Sequence, residues 1–358
     1  MKSPMKTSYR DDIRLFPSRG AMLAYVLLAA AALALPQVGG DYLLSQITFV
    51  CINGIVALGL MLLIGFTGQI SLGHAAFFAV GAYTGAILQT NGWSFIPAFV
   101  AAGALTGIIG ILIGLPALRM RGIYLAMATL AFAFIVEEVI VRWGSVTRGN
   151  RGMLVPDPVV FGYKMGSGHG IYYLSLIAFA LVALAIVNLV RSRTGRALAA
   201  IRDSDVAAEC LGINLALYKT AAFAISAAVT GMAGTLYAHK IAYISPEQFS
   251  ITLSVEFLTM VIIGGLGSLH GAVFGSIFIV MLPQLIVTLK PLLPTKVAEL
   301  PVLDSATFGV IVILFVMFEP RGLNGYWVRL KAYFSLFPFY PRGMFKRGKI
   351  AAADLIKH

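Results

Sequence analysis

The side chains that could do chemistry are few and far apart. The five histidines, His74, His169, His239, His270 and His358, are scattered along the chain. They have neither the spacing of a metal site nor the His-Glu-x-x-His run of a zinc hydrolase. Glu137 and Glu138 are adjacent, so on a helix they point in different directions and do not make a facing acid–base pair. Glu138 and Arg142 stand four apart, the spacing of a helix-surface ion pair. Residues 343–349 (GMFKRGK) follow the first seven positions of a nucleotide-binding P-loop, but Ile350 stands where Ser or Thr would hold Mg²⁺, and no strand precedes it. That segment reads as a basic tail. Cys51 lies in an apolar run and Cys210 in a charged one, so neither a disulfide framework nor a metal site is indicated. The expectation is a chain that is not an enzyme, holds no metal and needs no cofactor.

Glu256, in the run SVEFLTM, is the carboxylate that stands out. An acidic group within an apolar segment is costly and is a candidate for a solute path. It lies only about five residues into a short run, so an interfacial position is the alternative.

The elements that carry these groups are apolar. Hydrophobic residues make up 59% of the 358 and charged residues 12%, about half the charged share of a soluble globular protein. Ten apolar runs follow one another, at 21–38, 42–64, 74–88, 95–118, 123–141, 171–190, 220–238, 251–263, 272–289 and 306–318. Several approach the roughly 20 residues that cross a bilayer, and the short ones are candidates for tilted, broken or re-entrant segments. The fold class expected is all-α, a polytopic transmembrane helical bundle of about ten spans in contact with the lipid bilayer. The net charge of +12 comes from basic residues gathered at the ends of the runs, which is the pattern of topology signals and not of a nucleic-acid-binding face. With the N-terminus inside, 20 of the 27 Lys and Arg residues fall on cytoplasmic segments and seven outside, so both termini are expected in the cytoplasm. Three parts follow: a cytoplasmic N-terminal segment at 1–20, a transmembrane domain at 21–318 with a cytoplasmic segment at 191–219 inside it, and a basic cytoplasmic tail at 319–358. A basic head before the first run also fits a cleaved signal peptide, although a retained first span is the preferred reading.

Two junctions between runs carry no charged side chain except a histidine. One spans 65–74 (GFTGQISLGH) and the other 264–271 (GGLGSLHG). Both have a Ser-Leu core followed by Gly and His, then Ala, then Phe, which hints at an internal repeat. Glycine-broken segments in two halves are expected where discontinuous helices line a transport path. Gly65, Thr67, Gly68, Gln69, Ser71, Gly73, His74, Gly264, Gly265 and Gly267, together with Glu256, are therefore candidates for that path. Close packing through small residues is the plainer alternative.

The stretch 195–212 (GRALAAIRDSDVAAECLG) is the one long mixed-charge, helix-compatible segment between apolar runs. Asp203 or Ser204 can cap a helix, and Gly212 sits where a left-handed residue would end it. Leu198, Ile201, Ala208 and Leu211 fall near one face, leaving Arg202, Asp205 and Glu209 for solvent. A short amphipathic helix held between spans is suited to press on a soluble partner; an ordinary solvated loop is the alternative. Residues 142–152 open the longest outside segment, either touching an external partner or covering the spans.

Taken together, residues 65–78, 195–212, 223–237 (with GMAG at 231–234), 264–275 and 319–323 resemble the permease subunits of bacterial ABC importers for branched-chain amino acids, specifically the M-type permease. The similarity covers roughly 42–327. The resemblance implies a single helical domain in the bacterial inner membrane, with the path at a subunit interface. It implies a second, related permease subunit forming a heterodimer, two cytoplasmic ATPase subunits, and a periplasmic solute-binding protein that delivers leucine, isoleucine or valine. Relatives move urea, amides or aromatic acids. It also implies that 195–212 receives ATP-driven motion, with Gly195, Arg202, Asp203, Asp205, Ala207, Ala208, Glu209 and Gly212 as coupling candidates. Ala207–Ala208 followed by Gly212 fits the importer loop motif, but Val206 replaces its acidic residue and the Ile-x-Leu-Pro continuation is missing. A stand-alone ion-driven transporter would need intramembrane ion-coupling groups beyond Glu256. A membrane enzyme would need clustered His and carboxylates at one face.

Overall fold

The computed structural model describes residues 19–289, apart from 119, 121, 161 and 167, together with 303–318 and 322–336. The basic head at 1–18, the P-loop-like 343–349 and His358 lie outside the described residues. Every apolar run of the sequence is helical. The helices are α1 (Arg19–Val38), α2 (Asp41–Leu60, continued by a π-helical turn Met61–Gly65), α3 (His74–Thr90), α4 (Phe95–Ala117) and α5 (Ile123–Arg142). After a short α6 (Gly144–Thr147) come α7 (His169–Arg191), α8 (Arg193–Asp203), α9 (Asp205–Cys210), α10 (Leu215–Ile241), α11 (Ile251–Gly264), α12 (Leu269–Leu289), α13 (Leu303–Phe318) and α14 (Gly322–Leu336). Seven of the described helical segments are long and apolar enough to cross a membrane. Three more are shorter: Met22–Gln37 in α1, the 17 residues of α3, and Ala306–Phe315 in α13.

The centre is built from α2, α3, α10, α11 and α12, with α4 laid along α10 and α7 along α2. Small residues set the spacing. A Cβ added at Gly81 of α3 would fall on the backbone of Gly231 in α10, and one at Gly234 would fall on the Phe78 carbonyl. The GMAG stretch is thus where two helices touch backbone to backbone, the usual use of small residues between membrane helices. Outer faces such as Leu105, Ile108, Leu112 and Leu115 of α4 are exposed, as lipid-facing surfaces are. At α1, Pro36 has no N–H for the Ala32 carbonyl, and the Tyr172 hydroxyl of α7 donates to it instead at 2.6 Å.

One end of the bundle is closed by residues 142–168 and 241–250. There β1 (Met153–Leu154) pairs antiparallel with β4 (Tyr243–Ile244), while β2 (Val159–Val160) and β3 (Tyr163–Lys164) form a hairpin. Met153, Val155, Val160 and Ile244 are buried under it, so this segment covers the spans. Three differences from the sequence reading concern boundaries and faces. Helix α10 begins at Leu215, before the 220 expected, because the Asn214 side chain accepts from Leu217 N at 3.1 Å and starts the helix ahead of the apolar run. The stretch 195–212 is two helices, because Ser204 is extended (φ −163°) and caps the second by accepting from Ala207 N. The segment after 319 includes the helix α14, whose Gly322 packs on the backbone of Ile263 and Gly265.

Candidate functional site

At the end opposite the β1–β4 cap, both glycine junctions and the charged segment 191–219 come together. The first junction begins where α2 ends in its π-helical turn, a form that recurs at functional sites. Thr67 is buried and donates to the Leu63 carbonyl at 2.5 Å, with the Gln69 side-chain amide 3.0 Å away. Gly68 turns the chain with φ +70°. Gly73 lies so close to α5 that a Cβ there would stand 2.6 Å from the Thr129 carbonyl.

His74 is 1% exposed at the start of α3. Its Nδ1 is 2.9 Å from Ser71 Oγ and its Nε2 is 2.8 Å from Ser226 Oγ of α10. Neutral imidazole offers one donor and one acceptor, and two hydroxyls can match both. Two more small hydroxyls finish the junction. Ser254 of α11 accepts from Ala75 N at 3.0 Å, and Thr129 accepts from Leu72 N at 3.0 Å. These bonds satisfy N–H groups that a helix start leaves without partners.

The second junction mirrors the first. Gly265 (φ +112°) stands three residues before Ser268, as Gly68 stands three before Ser71. Ser268 Oγ accepts from Gly271 N at 3.1 Å, as Ser71 Oγ does from Gly73 N at 3.3 Å. Gly264 is pressed against the Gly271 carbonyl, and Gly267 turns with φ +77°. The two junctions touch: a Cβ at Gly65 would lie 2.6 Å from Gly267 N.

The charged segment packs below them. Ser192 caps α8, accepting from Thr194 N at 3.1 Å. Gly195 is buried against the Val190 carbonyl, where no side chain fits. Leu198, Ile201 and Ala208 are buried, as their spacing suggests. Leu211 is not. It is 77% exposed, beside Val206 at 66% and Leu217 at 64%, because the break at Ser204 frees α9 from the phase of α8. Asp205 was expected in solvent. Instead it forms an ion pair with Lys219 at 2.7 Å, both side chains largely covered, which ties α9 to the first turns of α10. Arg202 keeps an exposed side chain, but its Nη1 donates to the Gly65 carbonyl at 2.6 Å. Asp203, Ala207 and Glu209 are exposed, and Gly212 ends α9 with φ +79°.

Glu256 does not join this cluster. It is half-buried on α11, about 12 Å along the helix from Gly264 at 1.5 Å per residue, and has no hydrogen-bond or ion-pair partner among the described residues. Glu138 and Arg142 form the ion pair their spacing predicts. Among the described residues no group of three His, Cys, Asp or Glu side chains could hold a metal ion. Among the described residues the arrangement joins a charged segment to two glycine junctions by close packing and hydrogen bonds.

Ser226, Ser254, Thr129 and Lys219 complete the site without having been singled out from sequence. Their signal is a small hydroxyl or a charge inside or beside an apolar run, where few partners exist and each is used.

Compared with known proteins, residues 42–318 match the family model described as branched-chain amino acid transport system, permease component. The chain is 31% identical over 326 residues to the high-affinity branched-chain amino acid transport system permease protein LivM of Escherichia coli, covering 84% of this chain and 74% of that protein. It is 27% identical over 289 residues to BraD of Pseudomonas aeruginosa, a permease protein described in the same words, covering 76% and 91%. It is 24% identical over 288 residues to LivH of Escherichia coli, likewise so described, covering 76% and 90%. No solved structure matches.

Proposed function

The chain belongs to the family of branched-chain amino acid transport permease components, and from that premise we propose that it passes leucine, isoleucine and valine across a bacterial inner membrane. It is a permease subunit of an ABC importer and not an enzyme; ATP hydrolysis belongs to separate subunits. It pairs with another permease subunit, since relatives of both the LivM and LivH kinds match the same chain. Two ATPase subunits bind at the 191–219 end, and a solute-binding protein delivers the amino acid at the β1–β4 end. The membrane domain at 21–318 makes ten passes with the 1–20 and 319–358 segments in the cytoplasm. The charge asymmetry of the connections supports this topology.

The observation that carries the coupling reading is the exposure of Val206, Leu211 and Leu217, each more than 60% exposed on one charged segment. Large apolar side chains left exposed on such a segment suit a protein contact, and the candidates Asp203, Ala207, Glu209 and Gly212 lie on the same stretch of chain. Motion received there reaches the junction candidates Gly65 to His74 and Gly264 to Gly267. A tagged chain co-expressed with its partner permease and ATPases tests this: Leu211→Asp is expected to release the ATPase while the permease pair stays together. Retention of the ATPase by Leu211→Asp with Val206→Asp would overturn the assignment.

A further inference from the structure

We propose that Arg202 is a latch that fastens the charged segment to both glycine junctions at once, a positioning residue through which one displacement reaches the two repeats together; this rests on the coupling reading above. Two stretches remote from it in sequence converge on its guanidinium. Nη1 lies 2.6 Å from the Gly65 carbonyl. The same nitrogen lies 2.9 Å from the point a Cβ on Gly267 would occupy, and Gly65 itself abuts Gly267. A side chain at either glycine would separate the three.

The contact has a physical cause on each side. Gly65 ends the last turn of α2, where carbonyls lack backbone partners and the helix dipole presents its negative end. Among the described residues no backbone N–H donates to the Gly65 oxygen. A cation is the favoured partner there. Arginine suits the position better than lysine, because its planar fork presents several donors at fixed angles and can face two surfaces together.

The latch is placed to move. Arg202 is in the last turn of α8, one residue after the buried Ile201 and four before the exposed Val206. It thus sits between the packed side of the segment and the exposed apolar side chains assigned above to the ATPase contact. Its side chain remains in contact with water, so water can replace the bond when the segment shifts. Beyond the latch, Gly68, Gly265 and Gly267 hold positive φ values that a moving backbone can leave without steric penalty. When the segment moves, both junctions are pulled or released in one step, and α2, α3, α11 and α12 turn together.

The test uses the full complex in proteoliposomes, with ATP hydrolysis, leucine uptake and hydrogen exchange of peptides covering 62–73 and 262–271 read side by side. Arg202→Ala is expected to retain the ATPase, while leucine uptake per ATP hydrolysed falls about tenfold and both peptides exchange faster. Arg202→Lys is expected to keep the 62–73 peptide protected, to loosen 262–271, and to restore part of the uptake. Unchanged uptake per ATP in Arg202→Ala, faster exchange in neither or only one peptide of that variant, or loss of the ATPase from its complex would overturn the latch. A wild-type chain that never retains an ATPase would overturn the importer reading beneath it, a separate result.

Discussion

Tyr172, Asp205 and Lys219 show how a single side chain here answers for a backbone or a charge that burial leaves without water. Removing the Tyr172 hydroxyl strands the Ala32 carbonyl freed by Pro36. Tyr172→Phe is therefore expected to destabilise the protein by about 1–2 kcal/mol, read as a lower melting temperature in detergent. The Asp205–Lys219 pair is largely covered, and breaking a covered pair costs more than the pair contributes. Asp205→Ala and Lys219→Ala should each lower stability by about 2 kcal/mol or more, and the double variant should lose far less than the sum. Additive losses would show that the pair is not coupled. The residue scale was the least legible in the sequence. Arg202 was recognised as belonging to the coupling stretch, yet its partner Gly65 is 137 positions away, and no local pattern points from one to the other. Likewise Ser226 was one small hydroxyl among apolar neighbours until His74 Nε2 is seen beside it.

The helices themselves were readable, because a segment that must satisfy its own backbone in lipid has only one common solution. Their ends were readable where a capping residue coincides with the edge of an apolar run, and less so where it does not. Asn214 starts α10 ahead of Lys219, inside what looked like connecting chain. Leu211 was placed on the buried side by assuming one helix from Leu198 to Leu211; the extended Ser204 divides it, and the second helix keeps its own face. At this scale, packing of α3 against α10 depends on backbone contact at Gly81 and Gly231. Gly81→Ala must push two helices apart, with a cost on the order of 3 kcal/mol; a strong drop in folded yield is expected, with Gly144→Ala, where an added Cβ meets nothing within 4 Å, doing far less.

At the scale of the molecule, the glycine junctions and the charged segment 191–219 gather at one end and the covering β segments at the other. The two short Ser-Leu motifs stand in two junctions that share a positive-φ glycine, a serine that accepts from a nearby backbone N–H, and a common contact. The proposed sidedness can be read with native thiols. Cys210 is exposed on α9 and Cys51 is buried in α2. A membrane-impermeant maleimide should label Cys210 in inverted vesicles and not in right-side-out ones; labelling from the outside would reverse the topology. The central claim, that this chain is the membrane part of an ATP-driven importer coupled through 191–219, is tested most directly by leucine uptake into proteoliposomes. These hold the chain with its permease and ATPase partners and a loaded binding protein outside. Uptake that requires ATP inside and disappears with Leu211→Asp is the predicted result. Uptake by the chain alone, without ATP and driven by an ion gradient, would contradict it.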